Sequence, residues 1–516
     1  MRGQNAWVDY SARHIRAGKG SGGPGCARGG VRGSGVSFTF MGMSALLDAP
    51  TPARRLSRPA LAAALAASVV LWGVQLTVLT VWGGRHGQSL GDVLSQWDTQ
   101  WMSRIALHGY AGWTEGGHPS QWQSIAFFPG YPVLLRIVSA PLVVFGVESA
   151  TLLAGCLLSG VLAAAMVVGL VRLVGDGLDA VPPQTLIGRV VAVLFDGRGA
   201  DRDADPDADG RGTVARGRGG VAARVTAGTG EDGGPSPATA TAVAALALGA
   251  PMSAVYWMPY SESLFGVCAV WCLVMLRRHR FLAAGVLAGV AGLTRLTAVA
   301  LVVTLGLAAL VETVRVILDR RAGAGAGSAA AGDGPGSSVT TPLTAWVATV
   351  VSAVPLALYI AWADGQAAPV GGYFGAQDSG WHSGFDGGRA TMRWLRERTF
   401  VGPGDGGDVG YIIAGLSVIA VVLIVVASLW PLLRGALDWR LWLPAAMIAG
   451  IVVFSDGIMH SRPRLLIFPV LVLLLPWVAA GARRWRWAFT VPFVVAWCVL
   501  GFFVSGWLLV PFRWAI

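Results

Sequence analysis

The chain is short of charge for its length. Of its 516 residues only 13% are charged, whereas 54% are hydrophobic. A soluble protein carries about a quarter charged residues, so this class is excluded. Runs of roughly 20 apolar residues recur, which is the length that a helix needs to cross a bilayer. A transmembrane β-barrel would instead show short segments of alternating polarity. The sequence therefore predicts an all-α polytopic membrane protein.

Lysine is almost missing as well. Lys19 is the one lysine, so arginine supplies nearly all of the positive charge behind the net charge of +11. A phosphate-binding loop of the G-x-x-x-x-G-K type is thereby excluded. The arginines flank apolar runs, as the positive-inside rule describes for cytoplasmic loops. The excess of positive charge thus reflects the orientation of the chain in the membrane. It predicts membrane lipid as a partner and no nucleic acid.

Cysteine and histidine are too few and too scattered for a disulfide framework or a zinc site. Four of the five cysteines lie in apolar runs, where they act as small packing residues. The sequence predicts no metal site and no cofactor, and it leaves dependence on a divalent metal open.

Eleven apolar segments are predicted to cross the membrane, and the arginines before the first place the N-terminus in the cytoplasm. These segments are 61–82, 149–174, 240–257, 263–276, 281–293, 297–314, 343–363, 411–433, 441–455, 465–480 and 488–510. A twelfth apolar segment, 127–147, holds three prolines and an arginine. If it crossed, the arginine clusters at 277–280 and 483–486 would face outward, so it is predicted to lie along the outer surface as an interfacial helix.

Three stretches lack the apolar pattern and are predicted to be disordered. Residues 1–55 form a Gly- and Arg-rich cytoplasmic tail, for which Met41 or Met43 is an alternative start. Residues 56–516 form the transmembrane domain, interrupted by a cytoplasmic insert at 175–239 and a linker at 322–340.

With this topology, six polar segments converge on the outer face. They are 96–101, 127–132, 258–263, 293–297, 364–410 and 459–464, and they carry Asp98, Glu262, Arg295, His460, Arg462 and Arg464. Charged groups at the edge of the hydrocarbon are uncommon unless they are paired or functional. The outer face is therefore where the sequence predicts a site.

Asp98 stands between Trp97 and Trp101 at this boundary. A carboxylate between aromatic rings is partly desolvated, which raises its basicity and suits a general base. The alternative is a helix N-cap or surface acid, with Thr99 helping to cap a helix from Gln100.

The other charged residues have structural alternatives too. Glu262 is compatible with a helix-capping role, and Arg295 with snorkelling at the end of a span. The threonines beside Arg295 indicate a break in the backbone, which would direct the guanidinium into a cavity. Arg462 and Arg464 lie on the outer side against the positive-inside rule, and such guanidiniums suit a lipid phosphate.

Five motifs occur in order over residues 96 to 470. They are QWDTQWMSRIALHGY, FFPGYPVLLR, PYSESLF, GLTRLTAV and SRPRLLIFPV. Together they resemble the GPI mannosyltransferase II (PIG-V-like) family in its bacterial branch. The chain departs from the family pattern at Met102, Gly130 and Leu296, where tyrosine, leucine and proline are usual.

The resemblance implies a glycosyltransferase of the GT-C fold, with interfacial helices in the first outer loop. It implies an inverting mannosyltransferase of the cell membrane whose active site faces the extracytoplasmic side. The donor would be a polyprenyl-phosphate sugar, and the acceptor a glycolipid or glycan. Asp98 would be the catalytic base. Arg295, Arg462 and Arg464 would bind the donor phosphate. The remaining substrate contacts would come from Trp97, Tyr260, Glu262 and His460.

Two other classes remain open from the sequence. A transporter or lipid-carrier flippase would place ionisable groups near mid-membrane, on paired broken helices. A non-catalytic membrane scaffold would depend on the cytoplasmic insert as a docking tail.

Overall fold

The fold was examined in a computed structural model of the chain. The residues it describes are 56–110, 114–115, 118–119, 121–176, 234–325, 340–400, 409–433, 437–484 and 487–512. This part of the chain is almost wholly helical, apart from two antiparallel strands of two residues each, β1 (Thr114–Glu115) and β2 (His118–Pro119). An all-helical architecture is what the apolar composition predicts.

The helices differ widely in length. In chain order they are α1 (Arg58–Arg85), α2 (Leu90–Leu94), α3 (Asp98–His108), α4 (Gln121–Ile125), α5 (Gly130–Val144), α6 (Ala150–Gly175), α7 (Pro237–Leu248), α8 (Ser261–Arg277), α9 (Phe281–Gly292), α10 (Val299–Gly325), α11 (Thr340–Gln366), α12 (Gly372–Trp381), α13 (Arg389–Trp394), α14 (Val409–Leu433), α15 (Trp439–Val453), α16 (Arg462–Leu465), α17 (Ile467–Arg484) and α18 (Trp487–Leu509). Short 3₁₀ turns occupy Ser253–Tyr256, Leu296–Ala298, Ala368–Val370 and Met459–Ser461, and Leu395–Phe400 forms a π-helix.

Among the described helices, six are long and apolar enough to cross a membrane: α1, α6, α10, α11, α14 and α18. A bent pair, Met459–Leu465 followed by Ile467–Val478 at 42°, makes a seventh if it is one span. This architecture is compatible with a polytopic membrane protein.

The first of these helices shows how the sequence sets its ends. The Ser57 hydroxyl accepts a hydrogen bond from the Ala60 amide at 3.3 Å, and Pro59 pre-sets the first turn. One side of α1 packs against α7, whereas Val69 and Val70 are more than 60% exposed. A helix that is apolar all round suits a position between protein and lipid.

Small residues bring the helices close together in the core. α6 packs against α8, and α9 packs against both α8 and α11. A Cβ atom at Gly285 would lie 2.5 Å from the backbone oxygen of Ala348, so only glycine allows α9 this approach to α11. Close approach through small residues is the usual means of packing transmembrane helices.

Each predicted span overlaps a helix, but α7 is clearly shorter than the span predicted for it. The segment 240–257 overlaps α7, which ends at Leu248 and is followed by a left-handed Met252 (φ 64°) and a 3₁₀ turn. The helices α5, α7, α9 and α15 are short and apolar. The 15 residues of α5 extend about 22 Å, less than the roughly 30 Å of the hydrocarbon core. The eleven-span count and the interfacial position of 127–147 stay predictions.

The predicted disordered stretches lie almost entirely outside the described residues. This holds for the tail at 1–55, for most of the insert at 175–239 and for most of the linker at 322–340. At their edges the chain is helical: α10 continues through Gly325, and α7 already begins at Pro237.

Candidate active site

The turn before α3 positions Asp98. The Ser89 side chain caps α2 with Asp92, and the Thr99 hydroxyl donates to the Leu94 carbonyl at 2.9 Å. Trp97 occupies the N-cap position of α3 with φ 55°, a conformation that costs a non-glycine residue about 1–3 kcal/mol. Asp98 is thus the first residue of the helix rather than its cap, and the residue is buried at 8% exposure.

Four charged side chains from four segments form what we call the ion cluster: Asp98, Glu262, Arg295 and Arg464. The Arg464 guanidinium donates a hydrogen bond to Oδ2 of Asp98, a partner 366 positions away in the chain. The same Nη1 atom lies 3.5 Å from Oε1 of Glu262. Nη2 of Arg295 donates to that Oε1 at 2.9 Å. Two carboxylates and two guanidiniums balance one another, which makes their burial tolerable.

Local backbone geometry places each member of the ion cluster. Glu262 lies in the first turn of α8, where the helix dipole stabilises a negative charge. Arg295 follows the end of α9 in extended conformation (φ −160°, ψ 146°) before a 3₁₀ turn, which confirms the predicted break in the backbone. Arg464 lies in α16, on the short arm of the 42° bend.

Tyr260 contacts the ion cluster through its ring and the preceding turn through its hydroxyl. The Arg464 guanidinium carbon lies 5.1 Å from the centre of the Tyr260 ring, a cation–π distance. The Tyr260 hydroxyl donates to the Gln96 carbonyl at 3.4 Å. Tyr260 therefore joins the start of α8 to the turn that precedes Asp98.

Two features of the environment of Asp98 have opposite effects on the pKa of its carboxyl. Burial raises the pKa of the Asp98 carboxyl above its ordinary value, and the Arg464 guanidinium opposes this effect. Such a carboxylate becomes a stronger base if the guanidinium is drawn away from it.

Two polar atoms in the ion cluster can each form a further hydrogen bond. Among the described residues, Oε2 of Glu262 and Nε of Arg464 are buried and have no hydrogen-bond partner. Buried polar atoms are nearly always satisfied, so such atoms point to a missing water or ligand.

A small cavity of about 40 Å³ adjoins the ion cluster. Glu262, Arg295 and Arg464 line one part of it, and apolar side chains such as Phe265 and Phe468 line the rest. The cavity therefore has a charged part beside an apolar part.

Arg462 points away from the ion cluster. Its Nη1 atom donates to the Thr391 hydroxyl at 2.5 Å, and its Nη2 atom donates to the Ser455 carbonyl. With 3% exposure, Arg462 joins α13 to the end of α15. Its phosphate-binding role stays a prediction, but the geometry favours a structural one.

Two of the predicted substrate residues, His460 and Trp97, do not line the cavity. His460 contacts Tyr411 and Phe512, with ring centres 6.0 and 5.5 Å away. The indole of Trp97 packs against the hydrophobic core, and its Nε1 atom is buried without a partner among the described residues. Sequence reasoning missed Trp381, which contacts Trp101 at 5.8 Å. The aromatic residues of the long loop 364–410 were the available signal.

A second set of buried ion pairs lies about one helix length away, because the 17 residues of α8 extend roughly 26 Å. Nε of Arg277, at the end of α8, lies 3.1 Å from Asp438. Arg278 lies 2.8 Å from Asp176, and Arg440 lies 3.3 Å from Asp438. These arginines belong to the side that the sequence assigns to the cytoplasm.

Comparison with known proteins leaves the site to be interpreted from its own geometry. Family models, curated proteins and solved structures all give no match to the chain. Among the described residues, no group of three or more His, Cys, Asp or Glu side chains is placed to hold a metal ion.

Proposed function

We propose that the chain is an integral membrane glycosyltransferase. It transfers a sugar, mannose by the resemblance of its motifs, from a polyprenyl-phosphate carrier to a hydroxyl of a glycolipid or glycan acceptor on the extracytoplasmic side. The observation that carries the proposal is the ion cluster: a buried carboxylate, Asp98, bonds the guanidinium of Arg464, which comes from a distant segment and lines a partly apolar cavity.

The donor phosphate would bind Arg295 and Arg464. Both guanidiniums line the cavity, and Nε of Arg464 still has a hydrogen to donate. Planar guanidiniums bind phosphate through paired hydrogen bonds. The first isoprene units would follow the apolar lining beside Phe265 and Phe468.

The reaction needs one base. The acceptor oxygen attacks the anomeric carbon from the side opposite the phosphate, and the bond between that carbon and the phosphate oxygen breaks. The polyprenyl phosphate leaves with the electron pair, which the guanidiniums stabilise. Asp98 accepts the proton of the acceptor hydroxyl, and the configuration at the anomeric carbon inverts.

Donor binding itself would activate the base. Arg464 now bonds Asp98, and a phosphate in the cavity would compete for that guanidinium. Because burial already raises the pKa of Asp98, loss of its cationic partner raises it further. The carboxylate therefore becomes a better proton acceptor when the donor is in place.

The cavity must widen to admit a sugar. Its volume of about 40 Å³ lies far below the roughly 300–1,000 Å³ of typical small-molecule sites. Movement at the bend between α16 and α17 would shift Arg464 and open it.

The same bend favours a second candidate function, a lipid-carrier flippase or transporter. Such proteins bind charged substrates at broken helices. Counterflow of labelled polyprenyl phosphate across proteoliposomes that lack an acceptor would support this candidate over the transferase.

Asp98→Asn tests the transferase. We expect the purified full chain in nanodiscs to release polyprenyl phosphate from polyprenyl-phosphate-[¹⁴C]mannose in the presence of a membrane-extract acceptor. General-base catalysis contributes about 10²–10⁴-fold, so the variant should lose at least a hundredfold in rate.

Asp378→Asn is the matched control, because it makes the same change on an exposed side chain of α12, outside the ion cluster. It should keep the native rate. An Asp98→Asn protein that transfers sugar as fast as the control would refute the assignment of the base.

A further inference from the structure

An open groove of about 270 Å³ lies apart from the cavity of the ion cluster. The segments that follow α12, α13 and α15 form it together with the start of α14. We call it the aromatic groove. Its principal side chains are Trp381, His382, Trp394, Arg398, Tyr411 and His460. Its volume is just below the roughly 300–1,000 Å³ of typical small-molecule sites.

Tyr411 is the centre of the groove. The Trp394 ring stands at its edge, with ring centres 6.4 Å apart and planes at 81°. The His460 ring lies 6.0 Å away, and the Arg398 guanidinium carbon lies 5.6 Å from the Tyr411 ring. Tryptophan and tyrosine present large, rigid faces with few rotatable bonds.

Backbone hydrogen bonds join two of the segments beside the groove. The Asp456 amide donates to the Gly384 carbonyl at 2.6 Å, and Phe385 forms an isolated bridge with Ser455. His382 ends α12 in the left-handed conformation with φ 49°. The groove is therefore built from loops that are fixed to each other.

Two connections join the aromatic groove to the ion cluster. The Trp381 ring contacts Trp101 at 5.8 Å, and Trp101 lies one helical turn after Asp98 in α3. On the other side, His460 precedes Arg464 by four positions through a 3₁₀ turn and α16. The groove and the ion cluster are therefore linked through α3 and through the segment 460–464.

We propose that the aromatic groove binds the carbohydrate part of the acceptor. Aromatic faces pack against the C–H faces of sugar rings, while His382, His460 and Arg398 can bond ring hydroxyls. A site for an anion would gather several cations, whereas one arginine lines the described part of the groove, beside a tyrosine ring. The role of the groove in transfer rests on the proposed function, but sugar binding does not.

The first test measures binding of mannotriose to the full chain in nanodiscs, by saturation-transfer NMR and tryptophan fluorescence. Trp394→Ala removes one wall, and His382→Gly removes an exposed side chain whose left-handed backbone glycine adopts easily. Each variant should weaken binding at least fivefold. Trp477→Ala, at a tryptophan that is 54% exposed and outside the groove, should bind as the native chain does.

The second test separates the groove from the transferase. In Trp394→Ala and His382→Gly, the acceptor KM should rise at least tenfold, while hydrolysis of the donor without acceptor stays at the native rate. Asp98→Asn should bind mannotriose normally.

The outcomes are distinguishable. If the native chain binds mannotriose in the groove but never turns over the donor, the groove stands and the proposed function is wrong. If the native chain transfers sugar while both groove variants keep native mannotriose binding and acceptor KM, the groove proposal is overturned.

Discussion

Replacing Arg464 with glutamine removes the guanidinium on which both carboxylates of the ion cluster converge. Glu262 keeps Arg295 at 2.9 Å, whereas Asp98 loses the cation that it contacts. Removing one partner of a buried ion pair costs about 3–5 kcal/mol because a charge is left uncompensated. The stability of Arg464→Gln should fall by an amount of this order at neutral pH.

Asp98→Asn should cost less, because Arg464 still has Glu262 within 3.5 Å. It loses one charge-assisted hydrogen bond, which is worth about 1.5–3 kcal/mol. The double variant should recover part of the loss, with a coupling of about 0.5–3 kcal/mol between the two positions. The order of stability is therefore native, Asp98→Asn, then Arg464→Gln.

The penalty in Arg464→Gln should also depend on pH. Without the opposing cation, burial raises the pKa of Asp98 further above its ordinary value. A carboxyl whose folded pKa is raised stabilises the fold below the unfolded pKa, and this stability is lost as pH rises through the folded pKa. The variant should approach native stability in acid and weaken toward neutral pH.

Apparent melting temperatures of the three variants in nanodiscs, measured from pH 4 to pH 8, test this reasoning. Asp98→Asn has no titrating group at position 98, so the extra loss between acid and neutral pH should be absent. The reasoning fails if Arg464→Gln melts no lower than Asp98→Asn at neutral pH, or if the difference between them does not change with pH.

Three further predictions concern residues outside the ion cluster. Gly130→Leu should lower both stability and activity, since a Cβ there would lie 2.7 Å from the carbonyl just after α9; melting and sugar transfer would report it. Asp438→Asn breaks the buried pair with Arg277 and should cost about 3–5 kcal/mol in stability while kcat persists, as measured by unfolding and turnover. Backbone amides, that of Ala390 foremost, hold the pKa of Asp386 below its ordinary value. Its loop should therefore resist proteolysis at neutral pH and lose protection only as pH falls through that lowered pKa.

The sequence predicts the helices well where apolarity and local signals agree. The sequence predicts the first span at 61–82, and the helix covers Arg58–Arg85 because Ser57 and Pro59 favour its start. Prediction is poorer at 240–257, where the apolar run continues but Gly249 and Pro251 end the helix. An apolar run shows how long the apolar segment is, but the positions at which a helix ends within it depend on tertiary packing.

The ion cluster is predictable only in part. Topology alone brought Asp98, Glu262, Arg295 and Arg464 to one face, and the structure brings their side chains into contact. Arg462 could not be separated from Arg464 by sequence, although the two lie two positions apart. Its partner Thr391 is 71 positions away, and such a contact depends on the folded loop rather than on any local pattern.

The charged groups at the two ends of α8 show why burial alone does not indicate a catalytic carboxylate. Asp438 uses Oδ1 to cap α15 through the Arg440 amide at 2.9 Å and uses Oδ2 to bind Arg277, so both of its oxygens are engaged. Glu262 has an oxygen without a hydrogen-bond partner among the described residues, and it borders a cavity. Asp98 shares its arginine with that same Glu262. Proton transfer needs an acceptor that can exchange its partner, and the ion cluster offers that exchange because Arg464 always has a second carboxylate to hold.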